Sequence, residues 1–340
     1  MSPVIDYREP VNRRKYFSAL YSLNLEHKVH PGLVYLYIPE LRKKFKWSEE
    51  ETLWFATING HTQNPITSLR IFNKIPTLPK TDNEWVKFQE WFDSDWVNLS
   101  YDADRRKQKK DTIKGLKSYV QLVDTGTQKN LWVNKTYEQC WETANSIHSF
   151  GRLSTFSYLE YVRIVCNSPD CTTLMFDDFA GSRSHRNGML FLLGMDNHVF
   201  DKRQVNGHSG KYVDFKGMCN MLELEAEKFL SEFSERTKSL ETHKGKFTFE
   251  SCLCQFKNGF FGRRYPGVYA DMGLDRISWY TERGFTELVQ PFMDIREEKL
   301  PTWLREECES VVVPRKDKAA KFVLTGIPFR YENLQLLQND

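Results

Sequence analysis

Helix-start signals recur from one end of this chain to the other, and they restrict it to a mainly helical body. Ser48-Glu49-Glu50-Glu51 reads as a capping box, in which a hydroxyl and a carboxylate three residues apart satisfy each other's backbone N–H groups. Leu53, Trp54 and Ile58 follow it, and Gly60 is the predicted stop. Asn64-Pro65 then sets a capping side chain before a proline at the first helical position, opening a short helix that must end before Pro76. Thr81 to Glu84 is a second box, leading into Trp85, Phe88, Trp91 and Phe92 at helical spacing.

The same pattern predicts helices over Thr136 to Ile147, Leu153 to Val165, Phe215 to Thr237, Thr248 to Lys257 with Gly259 as the stop, Pro266 to Arg283, and Pro301 to Glu309. Strand candidates are few and short: a small hairpin of Lys117 to Thr125 with Asn130 to Val133, and an edge strand over Lys321 to Leu324. The run Met189 to Leu193 is open, since periodicity does not separate a buried strand from a buried helix. No repeat or proline-rich linker divides the chain. The reading is one helical body over 1–340, with a basic insertion at about 100–135 and a C-terminal extension from about 296.

With 340 residues, 40% of them hydrophobic and 14% aromatic, the chain can bury a large core as one domain or as two closely packed ones. Its first residues lack the apolar segment of a signal peptide and no apolar run is long enough to span a bilayer, so a soluble, cytoplasmic protein is expected. Seven scattered cysteines predict reduced thiols, and the missing CxxC spacing predicts no zinc site. Net charge is only +3, but Arg105 to Lys110, Arg263-Arg264 and Arg315 to Lys318 concentrate positive charge suited to phosphates. Taken alone, each run reads as a solvated loop.

Chemistry concentrates in two segments. Between apolar runs, Phe176-Asp177-Asp178-Phe179-Ala180-Gly181-Ser182-Arg183-Ser184-His185-Arg186-Asn187-Gly188-Met189 carries two carboxylates, two hydroxyls, two guanidiniums, an imidazole and an amide. A helix cap would use one or two of these, so the remainder point to a general base and to holders of an anion. The second segment, Phe260 to Met272, sets Arg263 and Arg264 before a helix start, with Tyr265, Tyr269 and Asp271 beside them. Helix N-termini and arginines bind phosphate, and aromatic faces stack on nucleobases, while an aromatic packing corner is the plainer alternative. Two lesser groups are Gly60 to Pro65, where Gln63 and Asn64 suit a base edge or a plain turn, and Gly151 to Arg163, which carries Arg152 and Tyr158. No phosphate loop, dinucleotide fingerprint, HExxH or GxSxG elbow is present, which disfavours ordinary nucleotide and serine hydrolysis.

These four segments together resemble the α-glutamyl/putrescinyl-thymine pyrophosphorylases, or amino acid:DNA transferases, of bacteriophage thymine hypermodification, over roughly residues 10 to 295. The resemblance implies a helical fold distantly like the helical DNA glycosylases, acting in the cytoplasm of an infected bacterial host. It implies transfer of an amino acid or polyamine onto a 5-hydroxymethyluracil in DNA that a DNA kinase has activated as a phosphate or pyrophosphate ester. No cofactor is expected. Under that reading Arg183, Arg263 and Arg264 hold the departing phosphate, and Asp177, Asp178, His185 and Arg186 form the catalytic group. Asn187, Ser182, Tyr265, Tyr269, Asp271, Gln63, Asn64, Arg152 and Tyr158 bind an extruded base or the other substrate. A non-catalytic binder of modified DNA and a base-excising glycosylase are the competing readings.

Overall fold

The computed structural model describes residues 8–29, 31–101, 109–124, 126–178, 181, 183–199, 214–233, 245–261, 263–302 and 304–305. Among them every regular element is helical. The helices are α1 (Pro10–His27), α2 (Val34–Phe45), α3 (Glu49–Thr62), α4 (Pro65–Lys74), α5 (Asp82–Asp95), α6 (Lys109–Val123) and α7 (Tyr137–Asn145). They continue with α8 (Arg152–Cys166), α9 (Arg183–Leu192), α10 (Phe215–Glu232), α11 (Lys246–Phe260), α12 (Val268–Thr281) and α13 (Thr286–Lys299). None is long and apolar enough to cross a membrane.

Both capping boxes form as their sequences require. Ser48 accepts from the Glu51 N–H while the Glu51 carboxylate accepts from Ser48, and Thr81 and Glu84 repeat the arrangement. Asn64 caps α4 through its side-chain oxygen, which accepts from Ile66 and Thr67 N–H groups. The predicted stops at Gly60 and Gly259 do not hold. α3 runs on to Thr62 and ends at Gln63 in the left-handed region (φ 54°). Gly60 is there for space, since a Cβ would lie 2.7 Å from the Phe150 ring.

The predicted hairpin is also overturned. Lys117 to Val123 completes α6 and Gln128–Leu131 is a 3-10 turn. Leu116, Tyr119 and Val123 recur at helical spacing and are all buried, and that face decides the conformation over the β-branched Val120 between them. Met189 to Leu192 is helical, and the expected strand over 321–324 lies outside the described residues.

The chain folds into two compact units. The first gathers residues up to 31, 171–271 and those from 301. Its core is aromatic: Phe17 of α1 meets Phe229 of α10 and Phe249 and Phe256 of α11 edge-on, at 5.3, 5.4 and 5.5 Å between centroids. Arg13 closes one edge of this core, pairing with both oxygens of Asp196 at 2.5 and 2.8 Å and donating to the Phe191 carbonyl. The second unit takes residues 32–170 and 272–300. There α3 lies against α4 and α8, and α13 lies against α2 and α4. Tyr158 of α8 sits among Tyr119, Trp132 and Phe150, and the Trp54 indole donates to the Ile75 carbonyl at 2.7 Å.

Candidate active site

In the first unit α9 and α11 approach almost backbone to backbone. Gly188 permits it: a Cβ at that position would lie 2.2 Å from the Leu253 carbonyl oxygen. This proximity presents the polar N-terminal turn of α9 to one face of α11, where Glu250, Cys254 and Lys257 recur at intervals of four and three residues.

Before α9, the loop carrying Asp177 and Asp178 is held by Arg186. Its guanidinium is wholly buried, and Nη1 donates to the carbonyls of Phe176 and Asp178 at 2.6 and 3.1 Å. The Phe215 ring lies 5.1 Å from Cζ. A buried cation engaged with two carbonyl oxygens fixes the backbone at Phe176 and Asp178. Asp177 is exposed; Asp178 is half-buried, and its carboxylate accepts from the Gly181 N–H at 2.9 Å. Asn187 is buried, and Ser182 lies outside the described residues.

His185 is 1% exposed, and each ring nitrogen faces an acceptor. Nε2 lies 2.9 Å from the Leu174 carbonyl and Nδ1 lies 3.1 Å from Glu250 Oε1. A carbonyl only accepts, so Nε2 carries the proton. That leaves His185 poorly placed as a general base for a substrate arriving from solvent. Glu250 is buried too, and the Cys254 thiol points at its Oε1 across 3.8 Å.

The two polar segments meet electrostatically around Lys257. Burial holds its ammonium below the usual lysine range; the nearby Cys254 sulfur offsets part of this, while the charges of Arg183 and Arg263 lower it further. Arg183 and Arg264 are half-exposed and Arg263 is exposed. Arg264 lies 6.0 Å from the half-buried Tyr269 ring, and burial raises the Tyr269 hydroxyl while Arg264 opposes the rise. Positive charge thus gathers from α9, α11 and the turn before α12. Such a place favours an anion carrying two or more charges.

Other expected residues take structural roles. Tyr265 is buried, and its hydroxyl donates to the buried Asp271 carboxylate, so the pair anchors the turn and offers no stacking face. Its carbonyl accepts from Gln255 at 3.0 Å. In the second unit Asn64 is the α4 cap already described, and Gln63 donates to the Gly60 carbonyl and accepts from Tyr161. The Tyr158 hydroxyl lies 2.9 Å from that of Thr57, inside the core. Arg152 opens α8 with its guanidinium over Trp141 and Phe156. Gln63, Asn64, Arg152 and Tyr158 therefore belong to a different unit from the α9–α11 group.

Sequence reading missed Glu250, Cys254 and Lys257. Their shared helix face was the available signal, but it points inward only because His185 and Gly188 lie opposite. The six cysteines among the described residues are not joined in disulfides, and burial pushes Cys140 and Cys219 up to about 11.

A family model described as amino acid:DNA transferase matches residues 34–265. A serinyltransferase of Salmonella phage ViI is 28% identical over 363 aligned residues, which cover 97% of this chain and 85% of that protein. No solved structure matches.

Proposed function

The chain belongs to the amino acid:DNA transferase family, and on that premise we propose which group it joins and where the leaving group goes. It is an enzyme that transfers an amino acid onto DNA. In our reading the acceptor is a uracil whose 5-hydroxymethyl group has been activated as a phosphate or pyrophosphate ester by a DNA kinase. The amino acid is serine, following the name of the phage ViI relative. The amino nitrogen attacks the exocyclic methylene carbon, the C–O bond to phosphate breaks, and the phosphate departs with the bonding pair. The ammonium proton passes to a loop carboxylate, Asp177 or Asp178.

The observation that carries this reading is the cationic group of Arg183, Lys257 and Arg263, in which Lys257 is held below its usual range by burial and by both arginines. Those charges repel one another until an anion arrives, so they stabilise the additional negative charge that C–O cleavage places on the departing phosphate more than they stabilise the intact ester. The activated pyrimidine must leave the duplex stack to reach them, and the half-buried Tyr269 offers an aromatic face to receive it.

The test is incubation of the full chain with serine and DNA bearing phosphorylated 5-hydroxymethyluracil, followed by mass spectrometry of the nucleosides. A nucleoside heavier than 5-hydroxymethyl-2′-deoxyuridine by serine less water is expected. Release of a free base, or unchanged DNA, would overturn the proposal.

A further inference from the structure

The same face of α11 carries a second arrangement, independent of what the enzyme transfers. One ring nitrogen of His185, a carboxylate oxygen of Glu250 and Cys254 Sγ all lie within 4.8 Å of one another. The nitrogen–oxygen separation is 3.1 Å and the sulfur–oxygen separation is 3.8 Å. Ligand bonds of about 2.0–2.3 Å in tetrahedral geometry put neighbouring donor atoms about 3.3–3.7 Å apart, so these separations already bracket those of a bound ion. We infer that His185, Glu250 and Cys254 form a three-ligand site for a zinc-type divalent cation, with a fourth position open.

Three features beyond proximity support this. First, the Leu174 carbonyl accepts the Nε2 proton, the supporting contact that fixes which ring nitrogen of a metal-binding histidine faces the ion. Once the proton shared with Glu250 has left, a neutral ring so fixed turns the Nδ1 lone pair toward Glu250 and Cys254. Second, the mixture of imidazole, carboxylate and thiol is a donor set for zinc rather than for magnesium or calcium, which take oxygen ligands. Third, the donors stand on rigid supports. Glu250 and Cys254 are one helical turn apart on α11, His185 is on α9, and Gly188 locks the two helices in register. On binding, the ion would displace the thiol proton and the proton shared between His185 and Glu250, releasing both to solvent.

The competing account is a buried imidazolium–carboxylate pair with a neighbouring thiol. The two are separated by metal content of the purified full chain after zinc loading and dialysis, compared with Cys254→Ser and Glu250→Gln. A cobalt-loaded sample is followed by its thiolate-to-metal absorption. We expect one equivalent of zinc in the unmodified chain, a cobalt–thiolate band that Cys254→Ser abolishes, and affinity reduced on the order of 100-fold or more in either variant, beyond the 10–100-fold typical of supporting contacts. Failure of the unmodified chain to retain zinc would overturn the inference, as would equal retention by both variants. Should a variant fail to fold, by circular dichroism and thermal unfolding, the cobalt–thiolate band of the unmodified chain decides alone. Neither readout depends on transferase activity, so the metal site and the proposed reaction stand or fall separately.

Discussion

At the scale of single residues, partners matter more than chemical type. Arg183 and Arg186 are three positions apart, yet one is half-exposed beside Lys257 and the other is buried against two carbonyls. Replacing Arg183 with Ala should lower kcat about 100-fold and change unfolding free energy by less than about 0.5 kcal/mol, measured by steady-state transfer and urea titration. Replacing Arg186 with Met should instead cost about 2–4 kcal/mol in the same titration, because it strands the Phe176 and Asp178 carbonyls. Lys257 carries the pH dependence. Its pKa is lowered, so its charge is lost as pH rises through a value below the ordinary 10.5, and phosphate affinity should weaken over that range. Competitive inhibition by phosphate across alkaline pH measures this; Lys257→Arg should keep affinity flat there.

Elements were legible where caps and one-sided faces announced them, and opaque where burial erased the pattern. The Ser48, Asn64 and Thr81 caps place α3, α4 and α5 to the residue. α1 escaped notice because Tyr16, Phe17, Leu20, Tyr21, Leu23 and Leu25 are all buried, leaving no polar stripe to reveal a period. The glycines of α3 and α11 were misread as stops because sequence does not distinguish a glycine needed for conformation from one needed for space. The candidate site was half legible: both arginine-bearing segments were visible as polar density, but the α11 face joining them became apparent only with α9 opposite. Gly188→Ala tests that junction. A methyl group 2.2 Å from a carbonyl oxygen has no room, and pushing α9 away should cost about 1–3 kcal/mol and reduce transfer, read by thermal unfolding and by activity below the transition.

For the whole molecule, the order of segments matters as much as their packing. The first unit is built from residues up to 31 together with 171–271 and those from 301, so its core is not contiguous in the chain. Removing residues 1–31 should uncover Phe229, Phe249 and Phe256 and give a protein that binds a hydrophobic dye and unfolds without a sharp transition; a cooperative transition in the truncated protein would contradict this. The same discontinuity governs synthesis. Phe17 leaves the ribosome some two hundred residues before Phe229, a wait of roughly 10–40 s at about 5–20 residues per second. For that interval Phe17 lacks the Phe229, Phe249 and Phe256 rings it packs against, so its productive folding depends on protection of the nascent chain until α10 and α11 have emerged.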